Sequence, residues 1–251
     1  MLRRRKGMFS LVLVGDWGTG KTTVAATAPK PALFLDVDNK LHKMDNLKHL
    51  LKSGEIIQWP ITEALSGVTL KRLSTMETKP GKQVAIPRPK GYIQLVDMIE
   101  KLEQSKCVVN GKKLATVILD SYTTVDEHLR RLLCAVNGTN SMTLPLYGPL
   151  LVNFEELNNT LLRLPVNVIL ICHEKADKDE LTGKISIKPL INGQMKDKIG
   201  KDFEEVYAMV KKVVQGKATY QMNTIGDNVR SCRTSRPIDG LIDADLSKIY
   251  N

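Results

Sequence analysis

The amino-acid sequence has 251 residues and a formal net charge of +10, with 37 lysines and arginines against 27 aspartates and glutamates. Apolar residues make up 42% of the chain, which is enough for a sizeable core. No apolar run approaches the roughly 18 residues of a transmembrane helix, so we expect no membrane partner. The four cysteines lie far apart without metal-ligand spacing, which favours reduced thiols and a cytoplasmic location. The basic balance favours a polyanionic partner such as nucleic acid.

Apolar runs rich in β-forming residues alternate with segments of helical periodicity through the first two thirds of the chain. Phe9 to Val14 predicts a strand, and a helix begins near Gly20. The other predicted strands of this part are 32–37, 55–58, 114–119 and 166–172, and the other predicted helices are 40–52, 91–104, 125–136 and 150–164. Continuous apolar strands between helices indicate an α/β fold with a mostly parallel sheet and helices on both faces.

The pattern changes after His173. Residues 175–200 are polar and contain glycines and a proline, which predicts an exposed loop. Residues 206–214 and 218–224 predict two strands joined by a hairpin turn, and residues 229–234 predict a third, so antiparallel C-terminal strands extend the sheet. With no repeat and no clear linker, we expect one domain over residues 1–251, with a basic N-terminal extension at 1–8 and a C-terminal tail at 237–251.

A phosphate-binding loop lies between the first strand and the first helix. Its residues satisfy the pattern G-x-x-x-x-G-K-[ST]. Glycines let the backbone turn so that several N–H groups face one anion, Lys21 can reach the β- and γ-phosphates, and the Thr22 hydroxyl can bind magnesium. We therefore expect ATP and Mg²⁺ as ligands, with loop contacts from Gly15, Asp16, Trp17, Gly18, Thr19, Gly20, Lys21, Thr22 and Thr23.

Carboxylates follow two of the other predicted strands. Asp120 ends the apolar run 116–119 in the form of a Walker B strand, and at the carboxyl edge of the sheet it would hold the metal through water. The second strand ends in Leu35-Asp36-Val37-Asp38, where Asp38 or Asp36 could orient the attacking water and take its proton. Capping of the next helix is the alternative role for these carboxylates.

A polar pair, His173 and Glu174, follows the predicted strand 166–172. At this position the pair would face the γ-phosphate and report its presence to the polar loop that comes next. The alternative is that the two side chains are ordinary surface residues.

These four places, in this order, resemble the RecA-like recombinase ATPases over roughly residues 8 to 236. The resemblance is most specific to the phage RecA-core single-strand annealing proteins (the Sak-four group), small ATPases without the long terminal domains of bacterial RecA. The matching segments are GDWGTGKTT, LFLDVD, TVILDS, LYGPL, NVILICHE, KPLING and VRSCRTSRP. The resemblance implies a RecA-like P-loop NTPase core, DNA-stimulated ATP hydrolysis, and action in the cytoplasm of a bacterial host if a phage encodes the chain.

The resemblance also implies roles in hydrolysis. The family's catalytic carboxylate falls on Asp38, where RecA-like proteins usually have Glu, so the shorter side chain would slow hydrolysis or share the role with Asp36. The γ-phosphate sensor falls on His173 or Glu174. Basic residues that reach a neighbouring subunit's ATP in RecA-like filaments fall among three arginines spaced by three, Arg230, Arg233 and Arg236, of which we choose Arg233 or Arg236.

Two segments take the places of the family's DNA-binding loops, near residues 137–147 and at residues 175–198. The second would contact the phosphates of single-stranded DNA through Lys175, Lys178, Lys184, Lys188, Lys196 and Lys198. Read from the residues alone, both are simply exposed loops at the ATP-proximal edge. The basic segment from Lys71 to Lys90 permits DNA contact without requiring it.

The resulting hypothesis is an ATP-dependent single-stranded-DNA-binding recombinase that promotes annealing or strand pairing in phage-type homologous recombination. It would act as an oligomer or filament, and the resemblance implies a single-strand-binding protein as a further partner. Two alternatives stay open. A non-catalytic, ATP-switched DNA loader or scaffold fits the short Asp38 and the unusual pair His173 and Glu174. A small-molecule P-loop kinase would need a lid of clustered arginines near a substrate pocket.

Overall fold

The computed structural model describes residues 7–63, 89–238 and 240–250, so residues 1–6 of the basic extension and most of the Lys71–Lys90 segment lie outside the described residues. The strands of the described part are β1 (Ser10–Gly15), β2 (Ala32–Asp36), β3 (Ile56–Pro60), β4 (Val108–Val109), β5 (Lys112–Lys113), β6 (Thr116–Asp120), β7 (Asn167–Lys178), β8 (Ile185–Pro189), β9 (Glu205–Val214), β10 (Lys217–Asn223) and β11 (Leu241–Asp243). The helices are α1 (Lys21–Ala25), α2 (Lys48–Ser53), α3 (Gly91–Gln104), α4 (Tyr122–Val136), α5 (Tyr147–Arg163) and α6 (Met195–Asp202).

One mixed sheet organises the described residues, with strand order β11-β10-β9-β1-β7-β6-β2-β3 and β8 paired to β7. From β9 to β3 all neighbouring strands are parallel, whereas β10, β11 and β8 pair antiparallel with their neighbours. The prediction of a mostly parallel sheet with antiparallel C-terminal strands is therefore confirmed. The parallel arrangement brings the carboxyl ends of β1, β2, β6 and β7 to one edge.

Helices cover both faces of this sheet, as predicted. Alternate residues of β1 separate the two halves of the core: Val12 and Val14 pack in the cluster that includes α3, α4, α5 and α6, whereas Leu11 and Leu13 pack with α1 and the C-terminal segment. A strand buried on both faces reads as a continuous apolar run, which explains the sequence of β1. Among the described residues, no helix has the length and apolar character that a membrane span requires.

Two antiparallel ribbons extend beyond the end of β1, one on each side of the phosphate loop. The strand β1 ends at Gly15, opposite His173 of β7, while Val14 lies opposite Ala208 of β9. Both neighbours of β1 run on beyond this point and pair with β8 and β10. We call residues 174–189 the β7–β8 ribbon and residues 209–222 the β9–β10 ribbon.

Three predicted elements were wrong in detail. Residues 175–200 were expected to be a loop, but strand pairing and α6 order much of this polar segment. The helix expected at 40–52 begins as two 3-10 turns, because Met44 takes an extended conformation (φ −89°, ψ 99°) and only α2 is α-helical. The strand expected at 229–234 is reduced to two isolated bridges at Arg230 and Arg233.

The C-terminal residues 240–250 pack on the domain. The strand β11 extends the sheet beyond β10, and Leu246 is buried. The Tyr250 ring stacks on Phe9 with 3.5 Å between ring centroids. The expected tail thus contributes to the core beside the start of β1.

Candidate nucleotide site

A cavity of about 730 Å³ lies at the carboxyl edge of the sheet. The phosphate loop forms its floor, and three side chains converge on it: Asp38, two residues after β2; Asp120, the last residue of β6; and His173, within β7. Open α/β sheets bind ligands at this edge because helix N-termini and loops converge there. Its size suits a ligand of nucleotide dimensions.

Two glycines give the phosphate loop its shape. A Cβ on Gly15 would lie 2.8 Å from Met209 Cβ and 2.9 Å from Thr19 Oγ1, so a larger residue cannot fit without displacing β9 or the loop. Gly20 has φ +83°, a left-handed conformation that side-chain-bearing residues rarely adopt. The pattern of small residues in the motif therefore follows from packing at one end and backbone conformation at the other.

Lys21 lies at the base of the cavity and is only 6% exposed. Its Nζ donates hydrogen bonds to the carbonyl oxygens of Gly15 (2.8 Å) and Asp16 (2.7 Å). Burial lowers the pKa of Lys21, and the nearby Asp120 carboxylate opposes that shift. Anionic phosphates in the cavity would favour the charged ammonium, since an opposite charge stabilises it.

Thr22 and Asp120 supply the oxygen atoms expected of a magnesium site. The Thr22 hydroxyl donates a 2.6 Å hydrogen bond to Asp120 Oδ2, and both side chains line the cavity. Burial raises the pKa of Asp120 to about 7; the Thr22 hydrogen bond opposes this shift and Asp38 adds to it. Hard oxygen donors fit Mg²⁺, which usually binds one or two protein groups together with water and substrate phosphates. Within the described ranges, no group of three His, Cys, Asp or Glu side chains could hold a metal ion.

Asp38 and Asp36 have separate roles. Asp38 lines the cavity, where its carboxylate accepts hydrogen bonds from Ser121 Oγ (3.0 Å), Thr124 Oγ1 and Lys40 Nζ (3.1 Å). Burial raises the pKa of Asp38, but the hydrogen bonds from Thr124 and Lys40 outweigh it, so the pKa is lowered. An ionised, fixed carboxylate at this place can orient a water molecule toward a phosphate.

Asp36 is buried, 1% exposed, and holds the turn after β2. Its oxygen atoms accept hydrogen bonds from the backbone N–H groups of Lys40 (3.2 Å) and Leu41 (3.0 Å) and from Gln58 Nε2 (2.6 Å). The alternative capping role therefore applies to Asp36, and Asp38 is the carboxylate at the cavity.

His173 and Glu174 also point to different places. His173 lines the cavity, and its backbone N–H donates to Thr123 Oγ1 (3.0 Å). Burial lowers the pKa of His173, and Lys21 adds to this effect, which favours a neutral imidazole. Glu174 lies on the other face of β7, where Arg230 donates to both of its oxygen atoms at 3.3 and 3.1 Å. Of the predicted sensor pair, only His173 lies in the cavity.

The comparison with protein families decides the class of the protein. The model of the AAA_24 family, described as an AAA domain, matches residues 9–236. The chain belongs to this AAA domain family. Together with the phosphate loop and the strand order, this membership makes the chain a RecA-like P-loop ATPase domain, as the sequence predicted at that level.

Solved structures include distant neighbours of this AAA domain. The KaiC-like protein PH0186 from the hyperthermophilic archaeon Pyrococcus horikoshii OT3 is 13% identical, with 97% of this chain and 93% of that chain covered and a TM-score of 0.47. The flagellar accessory protein FlaH from Methanocaldococcus jannaschii is 10% identical, with 86% and 76% covered and a TM-score of 0.39. No curated protein matches the chain.

The lysines predicted to contact DNA lie on the β7–β8 ribbon and on α6. Three of them form surface ion pairs, Lys188 with Asp197 (2.8 Å), Lys196 with Asp177 (3.0 Å) and Lys198 with Glu155 (2.9 Å). The other three are exposed on the ribbon: Lys175, Lys178 and Lys184. These three exposed ammonium groups are accessible to a polyanionic ligand.

The two arginines chosen for a trans contact differ in their surroundings. Arg236 packs over the Tyr250 ring, 4.4 Å from its centroid, and donates to the carbonyl oxygen of Ile249 (3.5 Å). Arg233 is exposed, and its guanidinium donates to the Gly200 carbonyl oxygen at 3.4 Å. Within one chain, neither lines the cavity formed by the described residues.

Several residues of the site were missed from the sequence. Ser121 and Thr124 support Asp38, and Tyr220 contributes to the cavity wall. Ser121 directly follows the Walker B aspartate, so its position was a usable signal. No local pattern marks Tyr220, because only the pairing of β10 with β9 brings it beside the phosphate loop.

Proposed function

We propose that this AAA domain is an ATP-dependent single-stranded-DNA-binding recombinase that promotes annealing or strand pairing in phage-type homologous recombination. It would act in the cytoplasm of a bacterial host, and single-stranded DNA would stimulate its ATP hydrolysis. Bound Mg²⁺ would neutralise charge on the phosphates, and Thr22 and Asp120 would hold it. Asp38 would orient the attacking water, and Lys21 would bind the β- and γ-phosphates.

The observation that carries this proposal is the continuity of β7. His173 lines the nucleotide cavity, and two residues later the same strand presents the exposed Lys175. The Arg230–Glu174 ion pair lies between these positions and ties the base of the β7–β8 ribbon to the C-terminal segment. A change at the γ-phosphate would therefore be transmitted along β7 to the lysine-bearing ribbon.

Charge supports a nucleic-acid ligand for this ribbon. Phosphate contacts provide most of the affinity of non-specific DNA binding, and each contact contributes about −0.7 to the salt slope for single strands. The three exposed lysines would give a slope of about −2. The three ion-paired lysines can exchange their carboxylates for DNA phosphates, since exposed ion pairs contribute at most about 1 kcal/mol.

Assembly of several subunits follows from the same proposal. Arg236 is engaged by Tyr250, whereas Arg233 is exposed and held by one long hydrogen bond. Arg233 is thus the better candidate to reach the ATP of a neighbouring subunit, which would couple hydrolysis to an oligomer or filament. A single-strand-binding protein is proposed as a further partner that presents the DNA.

The test is steady-state ATP hydrolysis with and without single-stranded DNA, in the presence of Mg²⁺. Stimulation by DNA is expected for the wild type and not for Lys21→Ala. Replacing three ribbon lysines by alanine should weaken DNA binding and stimulation while ATP binding persists; the positions are Lys175, Lys178 and Lys184. A control with the same charge change removes three exposed lysines elsewhere, at Lys52, Lys101 and Lys106. ATP-independent, salt-insensitive DNA binding would refute the proposal.

A second candidate is a non-catalytic, ATP-switched loader or scaffold. It is favoured by the hydrogen bonds that already occupy Asp38, from Ser121, Thr124 and Lys40, because water must compete for this carboxylate. Tight ATP binding without DNA-stimulated turnover would identify it. A small-molecule kinase would consume ATP only with an acceptor and without DNA; no arginine lines the cavity in the described part of the chain.

A further inference from the structure

The nucleotide cavity has an aromatic wall that belongs to no nucleotide-binding motif. Tyr220 of β10 lies opposite Lys211 of β9, on the β9–β10 ribbon beside the phosphate loop. Its ring atoms Cδ1, Cε1 and Cγ lie 3.3, 3.7 and 3.8 Å from the point where a Cβ on Gly20 would stand. Tyr220 therefore packs against the last glycine of the loop.

The ring is held in place yet remains accessible. Lys211 Nζ lies over the ring, 6.0 Å from its centroid, which is a cation–π contact. Tyr220 is 41% exposed and forms part of the cavity wall. A half-exposed aromatic ring on a paired strand is a pre-positioned stacking surface, because strand pairing fixes the backbone and contact with the phosphate loop restricts the orientations of the ring.

The lining of the cavity combines polar and apolar groups. Lys21 and Asp120 are among its charged residues, and Met44, Ala244 and Tyr220 contribute apolar groups to the wall. A flat heterocycle suits such a wall, and stacking on an aromatic side chain is worth about 1–3 kcal/mol per base.

We propose that Tyr220 is the residue on which the adenine ring of ATP stacks, with Lys211 supporting the tyrosine ring from the neighbouring strand. The proposal rests on ATP being the ligand of the cavity. It adds a base-binding contact from the β9–β10 ribbon to the phosphate contacts of the loop. ATP would thereby connect the loop to one ribbon through its base and to the other through its γ-phosphate at His173.

Isothermal titration with Mg²⁺–ATP and with Mg²⁺ and inorganic triphosphate tests this contact, because triphosphate lacks the base. Tyr220→Ala should weaken ATP binding by about 10- to 100-fold, the equivalent of losing one stacked base, and leave triphosphate binding unchanged. Tyr220→Phe keeps the ring and should bind both ligands like the wild type. Lys21→Ala should weaken both ligands.

The outcomes separate the possible failures. Equal weakening of ATP and triphosphate by Tyr220→Ala would show that the ring only supports the loop, and unchanged ATP binding would show that the base lies elsewhere; either result overturns the proposal. Loss of the ATP preference in Trp17→Ala alone would assign the stacking to that exposed loop residue and also overturn it. If the wild type binds triphosphate as tightly as ATP, the base contact is overturned and the phosphate site remains. If the wild type binds neither ligand, the ATPase assignment itself is refuted.

Discussion

Asp38 and Asp36 lie two residues apart, but their hydrogen bonds predict opposite outcomes for the change to asparagine. In Asp38, Oδ1 accepts from the hydroxyls of Ser121 and Thr124, and Oδ2 accepts from the exposed Lys40 ammonium. An asparagine can keep its oxygen toward both hydroxyls, while Lys40 moves into water. The Asp38 side chain is only 10% exposed, so the loss of its charge costs more than that of a fully exposed ion pair, and we expect Asp38→Asn to cost about 1 kcal/mol of folding free energy.

The catalytic effect of Asp38→Asn should be large. The substitution removes the negative charge that would orient the attacking water and take its proton, a contribution of about 100- to 10,000-fold in turnover. The phosphate contacts of the loop are untouched, so ATP affinity should stay within about threefold of the wild type. The expected signature is a folded protein that binds ATP and does not hydrolyse it.

Asp36→Asn is the matched control, with the same chemical change at a different place. Both oxygen atoms of Asp36 accept from fixed donors, the N–H of Lys40 on one side and the N–H of Leu41 and the Gln58 amide on the other. An asparagine amide can accept on only one side, so its NH₂ group meets a donor. We expect a loss of roughly 2–4 kcal/mol in folding free energy, with turnover per folded molecule nearly unchanged.

Three measurements decide between these expectations: urea unfolding for stability, isothermal titration for ATP affinity, and steady-state hydrolysis for turnover. The reasoning would be refuted by an Asp38→Asn protein that hydrolyses ATP like the wild type. It would equally be refuted by an Asp36→Asn protein that keeps its stability and loses turnover.

Three further predictions concern stability and the loop. Arg230→Ala should lower the free energy of unfolding in urea by roughly 1–3 kcal/mol, because Glu174 keeps its charge at 12% exposure and loses a partner that binds both of its oxygen atoms. Full stability in Arg230→Lys would contradict this, since an ammonium cannot bind both oxygen atoms in the same way. Burial lowers the pKa of His128, so the unfolded chain binds more protons than the folded chain, and stability should fall as the pH drops from about 6.5 through the folded-state pKa. Thermal melts of His128→Asn should depend less on pH than those of the wild type, and an equal dependence would contradict this prediction. Gly15→Ala should weaken ATP binding and lower stability by about 1–3 kcal/mol through contact with β9, whereas Gly148→Ala, in open space on α5, should leave both intact when measured by titration and melting.

Local sequence was sufficient for the nucleotide-binding framework. The phosphate loop is contiguous, and the strand before Asp120 is marked by a run of apolar residues, so both could be recognised without a partner segment. The same holds for the fold class, because continuous apolar strands between helices have few arrangements other than a covered parallel sheet. The family match over residues 9–236 and the strand order agree with these predictions.

Strand boundaries in the polar region could not be predicted in the same way. The β7 half of the β7–β8 ribbon is polar and largely exposed, and the alternation Ile185-Ser186-Ile187-Lys188 in β8 covers only four residues, so the local pattern did not predict the pairing. Its order comes from pairing with the neighbouring strand and from contacts such as the Ile187 N–H to the Val229 carbonyl (2.7 Å). Val229 is distant from Ile187 in the sequence, so this contact could not be predicted from local pattern.

The sequence by itself determined the phosphate-loop motif and the α/β class, since each depends on neighbours within one segment. Only the tertiary structure decided between Asp36 and Asp38 and between His173 and Glu174. A strand buried on both faces has no polar side that would tell which residues point to the cavity, and one step along it reverses the direction of the side chain. Tyr220 entered the site for the same reason, through strand pairing between segments that lie some two hundred residues from the loop that they flank.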